Sequence, residues 1–282
     1  MRKTFMFVLI VIMLVGRVSS LESTDSWRVV ANSHLIIKGI LHVNVDEIKR
    51  ILKSKPMYYK LSLEVEYILK GEYADRIILI NKYIRVDEYE PTVEYIINLN
   101  GCDVIAFLTK IDDKYSEGYY FSLSTNESLQ EATETNIRDT CEEILKQDDI
   151  LEKGLWIYDT LANTYDDIVK DLIEHMLDVN EAEESYRMLE ELGQNAVPSI
   201  IRFMDDRRVL PMQNITLENP PDFWEAVRFY SPDLVVDVLA AILNQITGES
   251  FGFINSGGSE RERREAVKGW RIYLWYLTHG DT

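Results

Sequence analysis

Four histidines are the first candidates for chemistry in this sequence, because imidazole is a common metal ligand and proton carrier. They are His34, His42, His175 and His279. His34 and His42 have the same parity in a predicted strand, which would place both side chains on one face. Eight residues at about 3.3 Å each separate them by roughly 26 Å if the strand is unbroken. Because zinc–ligand bonds are about 2 Å long, one ion cannot bind both, and we predict no metal site.

Adjacent carboxylates recur along the chain and are the second candidate, as ligands for calcium. The pairs are Asp112-Asp113, Asp148-Asp149, Asp166-Asp167 and Asp205-Asp206. A calcium-binding loop has acidic residues at alternating positions followed by glycine, and none of these pairs has that spacing. Sequence neighbours on a helix also point in different directions, so the pairs provide no acid–base geometry. We interpret them as solvated surface.

The sequence motifs of common enzyme classes are absent. The chain has neither a Gly-x-Ser-x-Gly elbow nor a His-Glu-x-x-His zinc motif. Glycines cluster at positions 248–258, but no lysine follows at the spacing of a phosphate-binding loop. The sequence therefore predicts no catalytic, cofactor-binding or metal-binding residue, and no cofactor.

The N-terminus has the layout of a secretory signal peptide. Arg2 and Lys3 precede an apolar run over residues 5–15, and Val18-Ser19-Ser20 provide the residues of a cleavage site. The apolar run is shorter than the about 20 residues that cross a bilayer, and no later stretch is apolar enough to do so. We predict cleavage after Ser20 and export to the periplasm or beyond, with an uncleaved anchor as the alternative.

The balance of charge restricts the class of partner. The formal net charge is −18, and removal of residues 1–20 takes away three basic residues and no acidic one. Such a chain repels phosphate backbones, and the sequence shows no basic patch of the kind that nucleic-acid-binding proteins carry. This argues against nucleic acid and leaves a protein of the envelope or extracellular space as a possible partner.

Strand patterns dominate residues 27–125. In the clearest run, 59–69, apolar residues alternate with polar ones, with Ile68 the exception, which predicts one strand face, including Tyr67, on a core. Further β-rich runs, separated in several places by turn-forming residues, cover 33–45, 76–86, 103–111 and 118–124. Five strands within about a hundred residues predict a small barrel or sandwich.

Beyond residue 125 the apolar residues recur at helical spacing. The stripes begin at Ile137, Leu161, Tyr186, Val197, Leu234 and Val267. Ser231-Pro232 is predicted to start one helix, and Ser259 with Glu262 forms a capping box before the last one. Residues 210–223, which contain three prolines, predict a loop. The fold class is therefore α+β, with a β-domain followed by helices.

Part of the β-rich region resembles a netrin-like module. The resemblance lies in residues 59–71, in Val104-Ile105-Ala106-Phe107-Leu108 and in Gly118-Tyr119-Tyr120-Phe121, and it extends over roughly 27–147. It implies a five-stranded OB-like barrel with a packed helix, as in extracellular inhibitors and matrix proteins. Inhibitory members begin with a cysteine whose amine chelates a protease metal. The predicted mature chain begins at Leu21 instead, which disfavours protease inhibition.

The helical half is similar to a HEAT-like repeat over residues 192–198, at Ile200-Ile201 and at Asp205-Asp206-Arg207. Residues 245–274 are also similar to the C-terminal ends of uncharacterised exported bacterial proteins. These resemblances imply a HEAT-like all-α domain and no known activity. The expected organisation is a signal peptide at 1–20, a netrin-like domain at 21–147 and a helical domain at 148–282.

Cys102 and Cys141 are the only cysteines in the chain. Export would bring them into an oxidising compartment, where thiols pair readily. Cys141 lies on the apolar stripe of the first predicted helix and Cys102 at the start of a predicted strand. A bond between them would fasten this helix to the barrel, as disulfides do in netrin-like modules. We predict this disulfide, and two separate buried thiols are the alternative.

Together these patterns favour an exported, non-enzymatic binding or scaffolding protein of unknown ligand. The hypothesis rests on the missing catalytic motifs and on the resemblance of both halves to interaction modules. A second hypothesis is an extracytoplasmic hydrolase that uses acidic residues at the domain junction. It requires two carboxylates, distant in sequence, in one pocket. A protease inhibitor is the third, disfavoured hypothesis.

Overall fold

The structure is a computed structural model that describes residues 26–54, 58–83, 91–112, 117–121, 126–160, 165–212, 214–218 and 227–280. The predicted signal peptide and Ser20 lie outside the described residues. Within them the chain is α+β, with a closed five-stranded barrel followed by a helical region, which confirms the predicted fold class. Among the described helices, none combines the length and apolar character needed to cross a bilayer.

The N-terminal half alternates strands with short helices. Its elements are α1 (Ser26–Asn32), β1 (Leu35–His42), α2 (Val45–Ser54), β2 (Tyr58–Lys70), β3 (Ile77–Tyr83), α3 (Pro91–Asn98), β4 (Asp103–Asp112), β5 (Glu117–Phe121) and β6 (Leu129–Glu131). The five predicted strands correspond to β1–β5. The sequence patterns do not predict α1, α2 and α3, because each has too few residues to show a helical period against the strand patterns around it.

The barrel closes in the order β1-β2-β3-β5-β4, and β4 returns to pair with β1. All pairings are antiparallel except the parallel contact between β3 and β5, where Ile80 lies opposite Tyr119. This closed five-stranded barrel is one of the two arrangements, barrel or sandwich, that the strand pattern predicts. Its interior is filled by aliphatic side chains from all the strands except β5, among them Leu41, Leu63, Ile78, Val104 and Leu108.

Strand β2 shows how alternation builds the barrel wall and where it fails. Leu61 and Leu63 are buried, whereas Lys60, the residue before them, points to the opposite face and is exposed. At Gly39 the neighbouring β1 approaches so closely that a Cβ atom would lie 2.2 Å from the Glu64 carbonyl oxygen. The register shifts beside this glycine, and the face of β2 changes with it. Tyr67, predicted on the core face, is therefore 55% exposed.

The C-terminal half is mainly helical. Its elements are α4 (Glu134–Glu152), α5 (Asp166–His175), α6 (Ala182–Glu191), α7 (Val197–Arg202), β7 (Ile215–Glu218), β8 (Val227–Tyr230), α8 (Val235–Thr247) and α9 (Glu260–His279). The predicted loop at 210–223 is wrong in part, because β7 lies inside it and pairs with β8. The predicted capping box of α9 is confirmed: the Ser259 hydroxyl accepts from the Glu262 N–H, and the Glu262 carboxylate accepts from the Ser259 N–H at 2.8 Å.

The predicted start of α8 at Ser231-Pro232 is wrong. The helix begins at Val235, and Leu234 before it has an extended backbone. Leu234 pairs with Val209 as an isolated β-bridge, which holds the chain extended up to that point. The Asp237 carboxylate supplies the missing cap, since Oδ2 accepts the backbone N–H groups of Asp233 and Leu234 at 3.1 and 3.0 Å.

A separate apolar layer joins the barrel to the helices. Its buried members come from α1, β1, β4 and α4, and they are Val29, Val30, Ile36, Ile105, Phe107 and Ile144. Trp27 of α1 continues this layer into the helical core, where its ring stacks on Tyr276 with centroids 4.6 Å apart. Helix α4 runs without a break from the barrel side to Glu152. The predicted boundary at 147/148 falls inside this helix and stays a prediction.

Candidate functional site

One end of the barrel meets α9 and encloses a pocket of about 410 Å³. The strand register brings the N-terminal end of β1 and the C-terminal ends of β2 and β4 together there, with Ile36 opposite Lys70 and Leu35 opposite Leu108. From α9, three residues spaced four and three apart share one helix face. We call this space the junction pocket, and its lining is His34, Leu35, Lys70, Gly71, Glu72, Lys110, Tyr119, Arg261, Glu265 and Lys268.

The charge of the junction pocket is opposite in sign to that of the chain. Four cationic side chains and one histidine line it, against the two carboxylates of Glu72 and Glu265. The whole chain carries a formal charge of −18. One of the carboxylates is already paired, because Lys268 Nζ lies 2.8 Å from Glu265 Oε1. A concentration of positive charge in a concave site raises the local concentration of anions.

His34 is held in one tautomer by the end of β4. Its Nδ1 accepts the backbone N–H of Lys110 at 3.1 Å, and its own backbone N–H donates to the Leu108 carbonyl oxygen at 2.9 Å. An accepting Nδ1 places the ring proton on Nε2. Burial and, after it, the nearby Arg261 guanidinium hold the pKa of His34 below its usual value. The ring is therefore neutral near pH 7 and acts as a polar rather than a cationic group.

Arg261 extends from the second position of α9 to the barrel. Its Nη2 lies 3.4 Å from the Lys110 carbonyl oxygen, and its Nη1 lies 3.5 Å from His34 Nδ1. These contacts place the planar guanidinium between the barrel end and α9. A guanidinium presents paired donors that match a carboxylate or phosphate. Arg261 is therefore the best-placed residue in the pocket for binding such a group.

Lys70 ends β2 and is half-buried in the pocket wall. Its Nζ donates a hydrogen bond of 2.8 Å to the carbonyl oxygen of Val30 in α1. Burial, which disfavours the charged ammonium, lowers the pKa of Lys70 to about 8, although the carboxylates of Glu265 and Asp148 oppose the shift. The amine is thus positioned by α1, a helix outside the barrel wall, and is partly neutral at mildly alkaline pH.

Gly71 allows β2 to turn away directly after Lys70. Its φ of +82° lies in the left-handed region, and a Cβ atom there would approach the His34 carbonyl oxygen to 2.4 Å. Any side chain at this position would push the two barrel strands apart. The glycine therefore keeps His34 and Lys70 on neighbouring strand ends.

The histidines singled out in the sequence are separated in the structure. His34 lies in the junction pocket, whereas His42 lies at the other end of β1, with Nε2 3.7 Å from Glu64. His175 neighbours Asp171 and Glu181, and His279 stacks on Trp275. Across the described ranges, no group of three His, Cys, Asp or Glu side chains is arranged to hold a metal ion.

The paired acidic residues contribute to ion pairs rather than to a pocket. Asp149 pairs with Lys153 at 2.6 Å, Asp166 with Arg202, and Asp206 with Arg208 at 2.6 Å. Asp113 lies outside the described residues. None of the described pairs lines the junction pocket, so its two carboxylates come from residues that the sequence patterns do not single out.

The two cysteines are free thiols in this structure. Cys102 is exposed, and its Sγ lies 4.0 Å from the Asn98 carbonyl oxygen at the end of α3. Cys141 is half-buried on α4, where burial raises the pKa of its thiol. No bond joins the two residues here, and the disulfide between Cys102 and Cys141 stays a prediction.

Neither a protein-family model nor a curated protein nor a solved structure matches this chain. The netrin-like and HEAT-like resemblances therefore gain no support from relatives.

Proposed function

We propose that this protein is an exported binding protein that holds a small anionic ligand in the junction pocket. The observation that carries the proposal is the cationic lining of this pocket in a strongly acidic chain. In a protein with a large excess of carboxylates, a pocket at an arbitrary place would be lined by acidic residues or by a mixture of charges. Lysine and arginine side chains from β2, β4 and α9 instead converge on one space.

The size and chemistry of the pocket favour a small organic acid or phosphate ester as its ligand. Its volume of about 410 Å³ lies within the range of ordinary small-molecule sites, about 300–1,000 Å³. Arg261 would bind the carboxylate or phosphate through paired N–H donors, with Lys110 adding a further positive charge. Leu35 and Tyr119 provide apolar contacts for the rest of the molecule.

The hydrolase hypothesis gains one supporting observation. Glu72 and Glu265, which are distant in sequence, both line the junction pocket, as that hypothesis requires. Glu265 is bound to Lys268, however, and Glu72 is exposed. An ion-paired carboxylate and an exposed one provide no distinctive acid–base pair. Because cationic side chains outnumber carboxylates in the pocket lining, the pocket favours anion binding over acid–base hydrolysis.

Isothermal titration with succinate and, separately, with inorganic phosphate tests the proposal. We expect saturable binding of at least one of the two anions, weakened about tenfold or more by Arg261→Gln, because one charge-assisted pair contributes roughly 1.5–3 kcal/mol. The matched control is Arg138→Gln, which removes one positive charge from the exposed face of α4, where Arg138 pairs with Asp139. Equal loss in both variants, or no saturable binding of either anion to the native protein, would contradict a specific site.

A further inference from the structure

Lys70 both lines the junction pocket and has an amine that is held by a backbone carbonyl of α1. Its amine is fixed by the hydrogen bond to Val30, and it lies between the two halves of the protein. Its charged surroundings come from every packed element: Glu265 and Lys268 on α9, Glu143 and Asp148 on α4, and His34 before β1. Burial outweighs the carboxylates, so the ammonium form is disfavoured.

A neutral lysine is a nucleophile, whereas an ammonium ion is not. At pH 8 about half of an amine with a pKa of about 8 is neutral, against about 0.3% of an ordinary lysine. A neutral amine that donates one N–H to a carbonyl oxygen keeps its lone pair. The Val30 contact therefore fixes the amine and leaves its lone pair unused, in a residue that lines the pocket.

We propose that Lys70 condenses reversibly with the carbonyl carbon of a small anionic aldehyde or ketone, such as a 2-oxo acid, held in the junction pocket. The inference rests on the anion-binding function proposed above. Arg261 and Lys110 would bind the carboxylate, and this would bring the adjacent carbonyl group toward the amine. Such positioning raises the effective concentration of the carbonyl group beside the amine, and this speeds a covalent step.

The step balances without any further reactant. The Lys70 nitrogen forms a bond to the carbonyl carbon, and the C=O π electrons move to oxygen to give a carbinolamine. The two amine hydrogens leave with that oxygen as one molecule of water, and a C=N bond remains.

Reductive trapping with two aldehydes tests the inference on the full mature protein. Glyoxylate, which is anionic, and propanal, which is neutral, are each added with cyanoborohydride, and the labelled lysines are identified by peptide mapping. We expect Lys70 to be labelled by glyoxylate at least about tenfold faster than exposed Lys153 at the end of α4. Lys70→Arg, which keeps the positive charge, should remove this fast label. Excess succinate should slow glyoxylate labelling of Lys70 and leave the labelling of Lys153 unchanged.

The two aldehydes separate the failure of this inference from the failure of the proposed function. If neither aldehyde labels Lys70 faster than Lys153 while succinate still binds, the reactive amine is refuted and the anion site stands. If propanal labels Lys70 selectively but Arg261→Gln has no effect on glyoxylate labelling, the anion site and the anionic substrate class are refuted. Selective glyoxylate labelling that is lost in both Lys70→Arg and Arg261→Gln supports both.

Discussion

The Arg263 guanidinium and the Asp237 carboxylate form a paired contact in the helical core. Arg263 Nε donates to Asp237 Oδ1 at 2.8 Å, and Nη2 donates to Oδ2 at 2.7 Å. Asp237 is fully buried, and its Oδ2 also caps α8 through two backbone N–H groups. Because Arg263 lies two residues after Arg261, this pair also fixes the start of α9 that faces the junction pocket.

Asp237→Asn should lower the free energy of unfolding by about 3–5 kcal/mol, because the substitution removes the buried counter-charge of Arg263 and leaves only the exposed Asp233 carboxylate, 3.6 Å away. Urea unfolding followed by circular dichroism measures the loss. Glu260→Gln is the control: Glu260 forms exposed ion pairs with Arg207 and Arg264 at the start of the same helix. Glu260→Gln should lower the free energy of unfolding by less than about 1 kcal/mol. Similar effects of the two substitutions would contradict the role given to the buried pair.

Trp27→Ala should destabilise the contact between the barrel and the helices by about 2 kcal/mol, less than a fully buried tryptophan because Trp27 is half-buried. Its ring stacks on Tyr276, and its carbonyl oxygen accepts a hydrogen bond from Gln147 Nε2 at 2.9 Å. The measurement is urea unfolding, compared with Phe229→Ala, whose ring is 77% exposed. The control should change stability by less than about 0.5 kcal/mol. An unchanged midpoint in Trp27→Ala would show that α1 does not join the two halves.

Much of the fold follows from local patterns in the sequence. The alternation in 59–69 predicts β2, and the Ser259–Glu262 capping box predicts the first turn of α9, because each signal resides in neighbouring residues. Patterns fail where a distant contact decides the outcome. Leu145 belongs to a predicted apolar stripe but is 61% exposed, since Ile144 beside it takes the position facing the barrel. The start of α8 is likewise set by the bridge from Val209.

The junction pocket could not be predicted from the sequence. Its cations come from the ends of two strands and from a helix near the C-terminus, at Lys70, Lys110 and Arg261. None of them belongs to a recognised motif, and the overall acidity of the chain argues against a cationic site. Only barrel closure and the packing of α9 on the barrel end bring them together. The spacing of Arg261, Glu265 and Lys268 on one helix face was the one local signal available.

The depressed pKa of Lys70 predicts a specific pH dependence of stability. The pKa of Lys70 is about 8 in the folded protein and 10.5 in the unfolded chain. At pH values between these two, the unfolded state therefore binds more protons at this residue. The contribution of Lys70 to the free energy of unfolding should therefore rise as the pH increases from about 8 to about 10. Lys70→Met, which has no titrating group, should lack this contribution. The difference between the urea midpoints of the native protein and Lys70→Met at about pH 8 and about pH 10 measures it. A difference that is constant with pH would contradict the shifted pKa.

Export is the last prediction, and it rests on the N-terminal pattern alone. Arg2 and Lys3, the apolar run after them and Val18-Ser19-Ser20 favour processing after Ser20. N-terminal sequencing of protein purified from its native host should therefore begin at Leu21. Ser20→Arg should block processing, because a long charged side chain does not fit a site that accepts small residues, and the retained segment should be visible by intact mass. Ser23→Arg, which lies beyond the site in the mature chain, is the matched control and should still be cleaved. A protein that keeps Met1 in the native host, or a Ser20→Arg variant cleaved as efficiently as the control, would refute processing at this position.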